Sequence, residues 1–407
     1  MISSEKFYHL IKKATFIKYM TFSLAASCVF SSTAFTSLVF AGPAGPADDT
    51  ALTVPQVGPG QTPGQTPGQG TEQVPPTQTA YANPNYYDLG LQNPVVHPTD
   101  KYTYEQMEQD MTLMAGRYGN HMIIQSIGQS LDGRNLYDVI VGNPNAPKQI
   151  LIQGAIHGRE YITVPLMMQQ LEYLLAHYDT GYFRDKTLSS MLSNTAIHFV
   201  PMSNPDGVSI SQFGEGALRS PDLRQMVQAC YAMDVAEGRT GYSYDQYLRL
   251  WKSNGRGVDL NHNFDASWAS LNPNLTHGSA TDFKGSNPLS EPEALALNNL
   301  TTQHSFATVI NYHAMGSVIY WNTADNKLAA PSLDMAQQVS AENGYRVLGS
   351  LGVGGFKDWL QKRDKPIAGI TIEVGRSACP VSFSEYPAIW EQNKSVPGLM
   401  IDYVLTH

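Results

Sequence analysis

The chain has 407 residues, of which 42% are apolar, 10% aromatic and 15% charged. That balance excludes collagen, coiled coil and a wholly disordered chain, and it leaves enough apolar residues for a sizeable core. The 26 Lys and Arg against 35 Asp and Glu give a net charge of -9 with no basic block, which argues against binding nucleic acid by bulk charge.

From the N-terminus, Lys6, Lys12, Lys13 and Lys18 precede an uncharged stretch from Tyr19 to Ala47 rich in Leu, Phe, Ala, Ser and Thr. This reads as the basic and apolar regions of a signal peptide, residues 1–41, with cleavage expected after Ala41, so the protein is expected to be secreted or associated with the cell envelope. The alternative is a retained membrane anchor, for which the length suffices but the Ser and Thr content is high. A lipoprotein signal ending at Cys28 would have Ala25 where a larger aliphatic is usual. Loss of residues 1–41 removes those lysines and only one acid, Glu5, so the exported part is more acidic than the precursor.

From Gly42 to about Ala82 the composition is Pro, Gly, Gln and Thr, with a tandem Gly-Gln-Thr-Pro over residues 60–67. Such a segment cannot bury enough apolar surface to offset its ordering entropy. Residues 42–98 therefore read as a disordered linker, followed by one catalytic domain over 99–407. Of the cysteines, Cys28, Cys230 and Cys379 are too few for a disulfide scaffold and lack C-x-x-C spacing. If Cys28 leaves with the leader, the other two either pair or stay reduced.

Thr103 is the expected N-cap of a helix from Tyr104 to Tyr118, with Met107, Met111 and Met114 on its inner face. Strands are expected over Met122 to Gly128, Leu136 to Val141 and Gln149 to Ile156, then a buried helix over Tyr161 to His177 and a strand over Ala196 to Met202. Later come a strand from Thr308 to Tyr312, a helix from Ser332 to Glu342, a strand from Ala368 to Val374, and a closing helix around Ile389 to Leu405. Strands alternating with helices predict an α/β fold, a sheet with helices on both faces. No internal repeat is evident.

Three apolar strands end in polar residues that a core does not need. His157 and Glu160, in Ile156-His157-Gly158-Arg159-Glu160, sit three apart on an expected first helical turn, which lets an imidazole and a carboxylate converge on one cation. His313 ends Val309-Ile310-Asn311-Tyr312, and Glu373 ends Gly369-Ile370-Thr371-Ile372. Strand carboxyl ends are where open α/β sheets build sites. Two His and one Glu are the three-ligand set of a catalytic zinc, and Glu373 is then placed to take a proton from water. Taken singly, His313 also reads as a satisfied histidine, and Glu373 as an ion pair with Arg376. The run from Trp251 to Asp265 reads as a surface loop by its Gly and polar content, although its Arg256 is also suited to polarising a carbonyl and stabilising an oxyanion.

Asn204-Pro-Asp-Gly207, Gly257-Val-Asp-Leu-Asn261, Tyr312-His313 and Thr371-Ile-Glu373 stand in the order seen in zinc metallocarboxypeptidases, and the chain resembles that family from about residue 100 to 405. Within it, the segments His313 to Trp321 and Gly354 to Trp359 look like the bacterial γ-D-glutamyl-diamino acid peptidase branch, which cuts peptidoglycan stem peptides. The resemblance implies a mixed, roughly eight-stranded sheet with helices on both faces. It implies one zinc per chain held by His157, Glu160 and His313, with Glu373 as general base and later acid, Arg256 as carbonyl polariser and Asn261 as part of the anchor for the substrate's carboxylate.

Two departures stand out. The family usually has arginine where this chain has His262, which weakens the carboxylate clamp, because histidine offers at most one pH-dependent donor. The tyrosine of digestive carboxypeptidases would fall near Ser350. Lys357, in an expected loop from Gly354 to Trp359, is a candidate for binding the anionic stem peptide, the alternative being a solvated loop lysine. The leading expectation is a secreted zinc peptidase cutting stem peptides at the γ-D-glutamyl to diamino acid bond, with no protein partner implied. The alternatives are an exported carboxypeptidase trimming L-peptides and a wall-binding homologue without catalysis.

Overall fold

The computed structural model describes residues 81–349 and 354–407. The expected signal or anchor, most of the expected linker and the Ser350 position lie outside them.

Eight strands make the main sheet: β1 (Met122–Gln129), β2 (Asn135–Gly142), β3 (Gln149–Gly154), β4 (Ala196–Val200), β5 (Phe306–His313), β6 (Val318–Tyr320), β7 (Arg346–Leu348) and β8 (Ala368–Glu373). Their order is β1-β2-β4-β3-β5-β8-β6-β7. The four central strands, β4, β3, β5 and β8, run parallel, while β1–β2, β2–β4 and β8–β6 are antiparallel. The sheet is therefore mixed and eight-stranded.

Central strands covered on both faces read as unbroken apolar runs, because every side chain finds a core. In β3, Ile150 and Ile152 face one core with Ile310 and Tyr312 of β5 and Ile370 and Ile372 of β8. Leu151 and Val309 face the other. The first core is closed by α1 (Tyr104–Tyr118), α2 (Thr163–Ala176) and α6 (Ala329–Asn343), together with the C-terminal helices; the second is closed by α5 (Pro292–Gln303) and α7 (Phe356–Lys362). Helix α1 starts where expected, with the Thr103 hydroxyl accepting the Gln106 N–H at 3.1 Å, and Met107, Met111 and Met114 are buried.

Two expectations need correction. Residues 81–98 are packed against the domain and are not a free linker. Tyr86 is fully buried, and the N–H groups of Val95 and Val96 donate to the buried Glu172 carboxylate at 2.6 and 2.8 Å. Two apolar pairs, Tyr86-Tyr87 and Val95-Val96, do this within a polar composition that hides them. The closing helix is two helices, α8 (Tyr386–Asn393) and α9 (Val396–Thr406). Pro397 lacks an N–H and its ring crowds the carbonyl four residues back, so one helix cannot run through it. Pattern alone leaves α3 (Pro205–Phe213) and α4 (Pro221–Ala236) unassigned, and it misses β6 and β7, which have three residues each. Cys230 and Cys379 do not pair; both are free.

Candidate metal centre and active site

The site is built at the carboxyl edge of the central parallel strands. Chain leaving β3 turns through a 3-10 turn, Gly158–Glu160, before α2 begins at Thr163, so His157 and Glu160 sit on this tight turn and not on the helix itself. Thr163 fixes it by donating to the Glu160 carbonyl at 2.9 Å and accepting the Ala155 N–H at 3.1 Å. Gly158 is required by close approach: a Cβ there would lie 2.4 Å from the Gly207 backbone. Asn204, the N-cap of α3, ties the pieces together. Its amide donates to the carbonyls of Ile156 and Ser253 at 3.0 and 3.1 Å, and its oxygen accepts the Gly207 N–H at 2.9 Å.

β5 ends at His313 and β8 at Glu373, and the two are paired residues in the parallel ladder. His157 Nδ1 lies 2.7 Å from one Glu160 oxygen and His313 Nδ1 lies 2.9 Å from the other. All three side chains are buried, and their ligand atoms fall within 4.8 Å of one another. Two imidazoles and a carboxylate turned inward at this spacing fit a zinc ion with a coordination position left open. The outer shell fits too: His157 Nε2 faces Asp259 Oδ1 at 3.3 Å, which fixes the ring so that Nδ1 points inward.

The segment from Trp251 to Asp265 is not a surface loop. Trp251, Ser253, Asn254, Asp259, Asn263 and Phe264 are fully buried, and the polar ones among them are there to bond. Asp259 accepts the Asn261 N–H and stands 3.9 Å from the Lys252 ammonium. Burial alone would raise the Asp259 carboxyl, but His262, Lys252 and His157 outweigh it and hold it well below the usual range. Glu160 is likewise held well below that range by His157 and His313 against the effect of burial. Glu373 goes the other way: burial pushes it up to about 7, with His313 pulling down and Glu160 pushing up. It makes no ion pair with Arg376, whose N–H groups go to Glu385 and Ser317.

Arg256 is gripped by Glu291, Nε to Oε2 at 2.7 Å and Nη2 to Oε1 at 2.6 Å, and Nη2 also donates to the Ser290 carbonyl at 3.0 Å. Its Nη1 has no partner among the described residues and is free to donate to a substrate oxygen. Asn261 uses its oxygen to accept the Phe356 N–H at 2.9 Å, so its amide nitrogen is the group left to bind. His262 is partly exposed, with Nδ1 3.8 Å from Asp259 Oδ2 and no hydrogen bond. Lys357 is neither in a loop nor solvated. It lies in α7, buried, with its ammonium bound to the Asn322 carbonyl at 2.8 Å and to the Asp358 carboxylate. Burial lowers its pKa, and its charge is already satisfied.

Sequence reasoning passed over Asp259, Lys252, Glu291 and Arg159. Arg159, between the ligands His157 and Glu160, has a buried Nε without a partner. It is near enough to the Glu373 carboxylate to oppose a small part of the rise that burial causes. The signal for Arg159 and Asp259 was their place inside motifs already singled out.

Comparison with known proteins decides the family. The model of the zinc carboxypeptidase family matches residues 107–395. The chain belongs to that family. It is therefore a zinc metallopeptidase, and zinc is its metal. Among its relatives is "Gamma-D-glutamyl-L-diamino acid endopeptidase 1" of Lysinibacillus sphaericus, 30% identical over 73% of this chain and 72% of that protein. "Carboxypeptidase M" of Mus musculus is 25% identical over 63% of this chain and 48% of that protein. The fold is that of carboxypeptidase A from Helicoverpa armigera, with a TM-score of 0.55 at 18% identity over 77% of each chain. Bovine thrombin-activatable fibrinolysis inhibitor shares it as well, with a TM-score of 0.55 at 17% identity, covering 79% of this chain and 99% of that one.

Proposed function

We propose that this metallopeptidase is exported to the cell envelope and hydrolyses peptidoglycan stem peptides at the bond between the γ-carboxyl of D-glutamate and the diamino acid. The L. sphaericus relative's name suggests that bond; the observation that carries the reading further is chemical. A γ-linked glutamate keeps its α-carboxylate free on the acyl side of the scissile bond, where an ordinary peptide has a neutral amide. That substrate needs a cation beside the reacting carbonyl. Arg159, between the ligands His157 and Glu160 and near enough to Glu373 to act on its carboxylate, is such a cation, and its Nε has no partner among the described residues. An L-peptide carboxypeptidase would instead need a permanent cation for the terminal carboxylate, at the position where His262 stands.

His157, Glu160 and His313 would hold the zinc ion, which when bound would supply Lewis-acid activation of a water and of the scissile carbonyl. Glu373, with a pKa near neutrality, takes a proton from the water and returns it to the leaving amine. Arg256 donates from Nη1 to the carbonyl oxygen as negative charge develops, and Glu291 holds its guanidinium in one orientation so that little reorganisation is needed at that moment. Asp259 keeps the His157 ring in register, and Asn261 donates to the leaving side of the substrate.

The test is to incubate the purified protein with L-Ala-γ-D-Glu-diamino acid and with an ordinary L-tripeptide, and to weigh the products. Release of L-Ala-D-Glu and the free diamino acid is expected. Cleavage of the L-tripeptide alone would overturn the assignment.

A further inference from the structure

A cleft of about 730 Å3 is lined among others by Lys101, Tyr161, Gln212, Phe213, Arg249 and Phe383. Its volume lies within the range of roughly 300–1,000 Å3 usual for small-ligand sites. Tyr161 follows the ligand Glu160 directly. The wall at Pro380 and Val381 follows Cys379, whose thiol donates to the Arg159 carbonyl at 3.4 Å. The cleft shares no residue with the 256–265 segment or with α7, which carry the groups for the oxyanion and the leaving side. The groups for the oxyanion and the leaving side lie outside it, which leaves the acyl side, toward the amino end of the substrate, as the side it could extend.

The lining chemistry narrows the occupant. Lys101 and Arg249 are offset by Asp100 and Asp245, so the cleft as a whole favours no ionic ligand. Phe213 is 55% exposed, with the Lys101 ammonium 5.3 Å from its ring centroid. The Phe383 ring is stacked on Tyr386 at 5.2 Å and is held in one orientation. Arg249, at the end of the short helix Tyr244–Arg249, donates its guanidinium to no other described residue. Gln212 and Ser211 are buried, their side chains donating to the Tyr102 and Arg249 carbonyls, which makes the floor rigid. One fixed and one exposed aromatic face, Phe383 and Phe213, with balanced charged groups and one uncommitted guanidinium at the rim, suit a neutral ligand that is apolar on its ring faces and hydroxylated at its edges.

We infer that this cleft is a sugar subsite, binding the N-acetylated hexosamine joined to the amino end of the stem peptide, so that the glycan-linked peptide is the preferred substrate over the free peptide. The inference rests on the stem-peptide reading above and adds to it the carrier on which the peptide is presented.

The experiment compares kcat/KM for L-Ala-γ-D-Glu-diamino acid with that for the same peptide carrying N-acetylmuramic acid on its alanine. It uses the zinc-loaded enzyme and its R249A and F213A variants, with thermal melts confirming the fold of each. The sugar-bearing peptide is expected to be preferred about tenfold or more, the size of one or two net polar or stacking contacts, mainly through KM. Each variant should lower that preference, and the double variant should bring it close to one. Equal use of the two substrates by the wild type overturns the subsite, as does a preference that survives in the double variant. Cleavage of neither γ-linked substrate, with an L-tripeptide cleaved, removes the stem-peptide reading and this inference with it, and so is distinct from failure of the subsite alone.

Discussion

Replacing Glu293 by Gln should make the protein more resistant to alkaline conditions. Glu293 sits in the first turn of α5, fully buried, with one carboxyl oxygen accepting the Leu131 N–H at 3.1 Å and the other 3.3 Å from the Asn254 amide. Burial, and then the nearby Asp206, raise its pKa from 4.5 to about 8. The folded state thus keeps a proton that the unfolded chain has released, and stability falls as pH rises from about 4.5 to about 8 and levels off above it. At roughly 1.4 kcal/mol per tenfold change in proton affinity, the whole effect is about 5 kcal/mol, of which about 3 kcal/mol falls between pH 6 and pH 9. Asp259 and Glu160, held well below their usual range, titrate below this window. Gln keeps the shape and the acceptor for Leu131 while removing the titration. Urea unfolding of the zinc-loaded protein, followed by tryptophan fluorescence, should show wild type losing stability from pH 6 to pH 9 relative to E293Q by up to about 3 kcal/mol. Parallel pH dependences for the two proteins would refute the assignment of a raised pKa to Glu293.

Glu373→Gln should lower kcat by about 10²–10⁴-fold, since it removes the proton acceptor, while metal content by elemental analysis stays at the wild-type level; loss of the metal would place Glu373 among the ligands instead. Arg256→Ala should lower kcat by about 100-fold or more with KM little changed, and a change confined to KM would make it a ground-state binding residue. Glu291→Gln should weaken the same step less, because Arg256 keeps its Ser290 contact but loses its fixed orientation; activity equal to wild type would mean that Arg256 needs no bracket. His262→Arg should shift preference toward a stem peptide with a free diamino-acid carboxylate over one extended by D-Ala, measured as a ratio of kcat/KM. Strict rejection of the extended peptide by wild type would show that His262 clamps as well as arginine does.

The sheet and the metal triad were legible for one reason: His313 closes an apolar strand, and His157 and Glu160 follow directly on another, whose period and length are plain, and a polar residue at such an end has no packing role. The groups that complete the site were not legible because they depend on a tertiary approach. Asp259 reaches His157, and Glu291 reaches Arg256, across separate segments, and the 251–265 segment is brought against the end of β3 by the Asn204 amide and by the Gly158 N–H, which donates to the Lys252 carbonyl at 2.8 Å. That segment looked exposed because it is polar, whereas Asn254, Asp259 and Asn263 are buried and bonded to groups of other segments. Lys357 misled in the opposite direction. Gly354-Gly355 suggested a loop, yet α7 starts at Phe356 and the lysine turns inward to Asn322 and Asp358.

The proposed zinc-dependent cut at the γ-D-glutamyl bond can be followed in a single titration. The protein, stripped by chelation, is titrated with zinc while L-Ala-D-Glu released from the free tripeptide is weighed. Activity should be absent from the stripped protein and rise to a plateau at about one zinc per chain. Undiminished release of L-Ala-D-Glu from protein with a metal content near zero would contradict it.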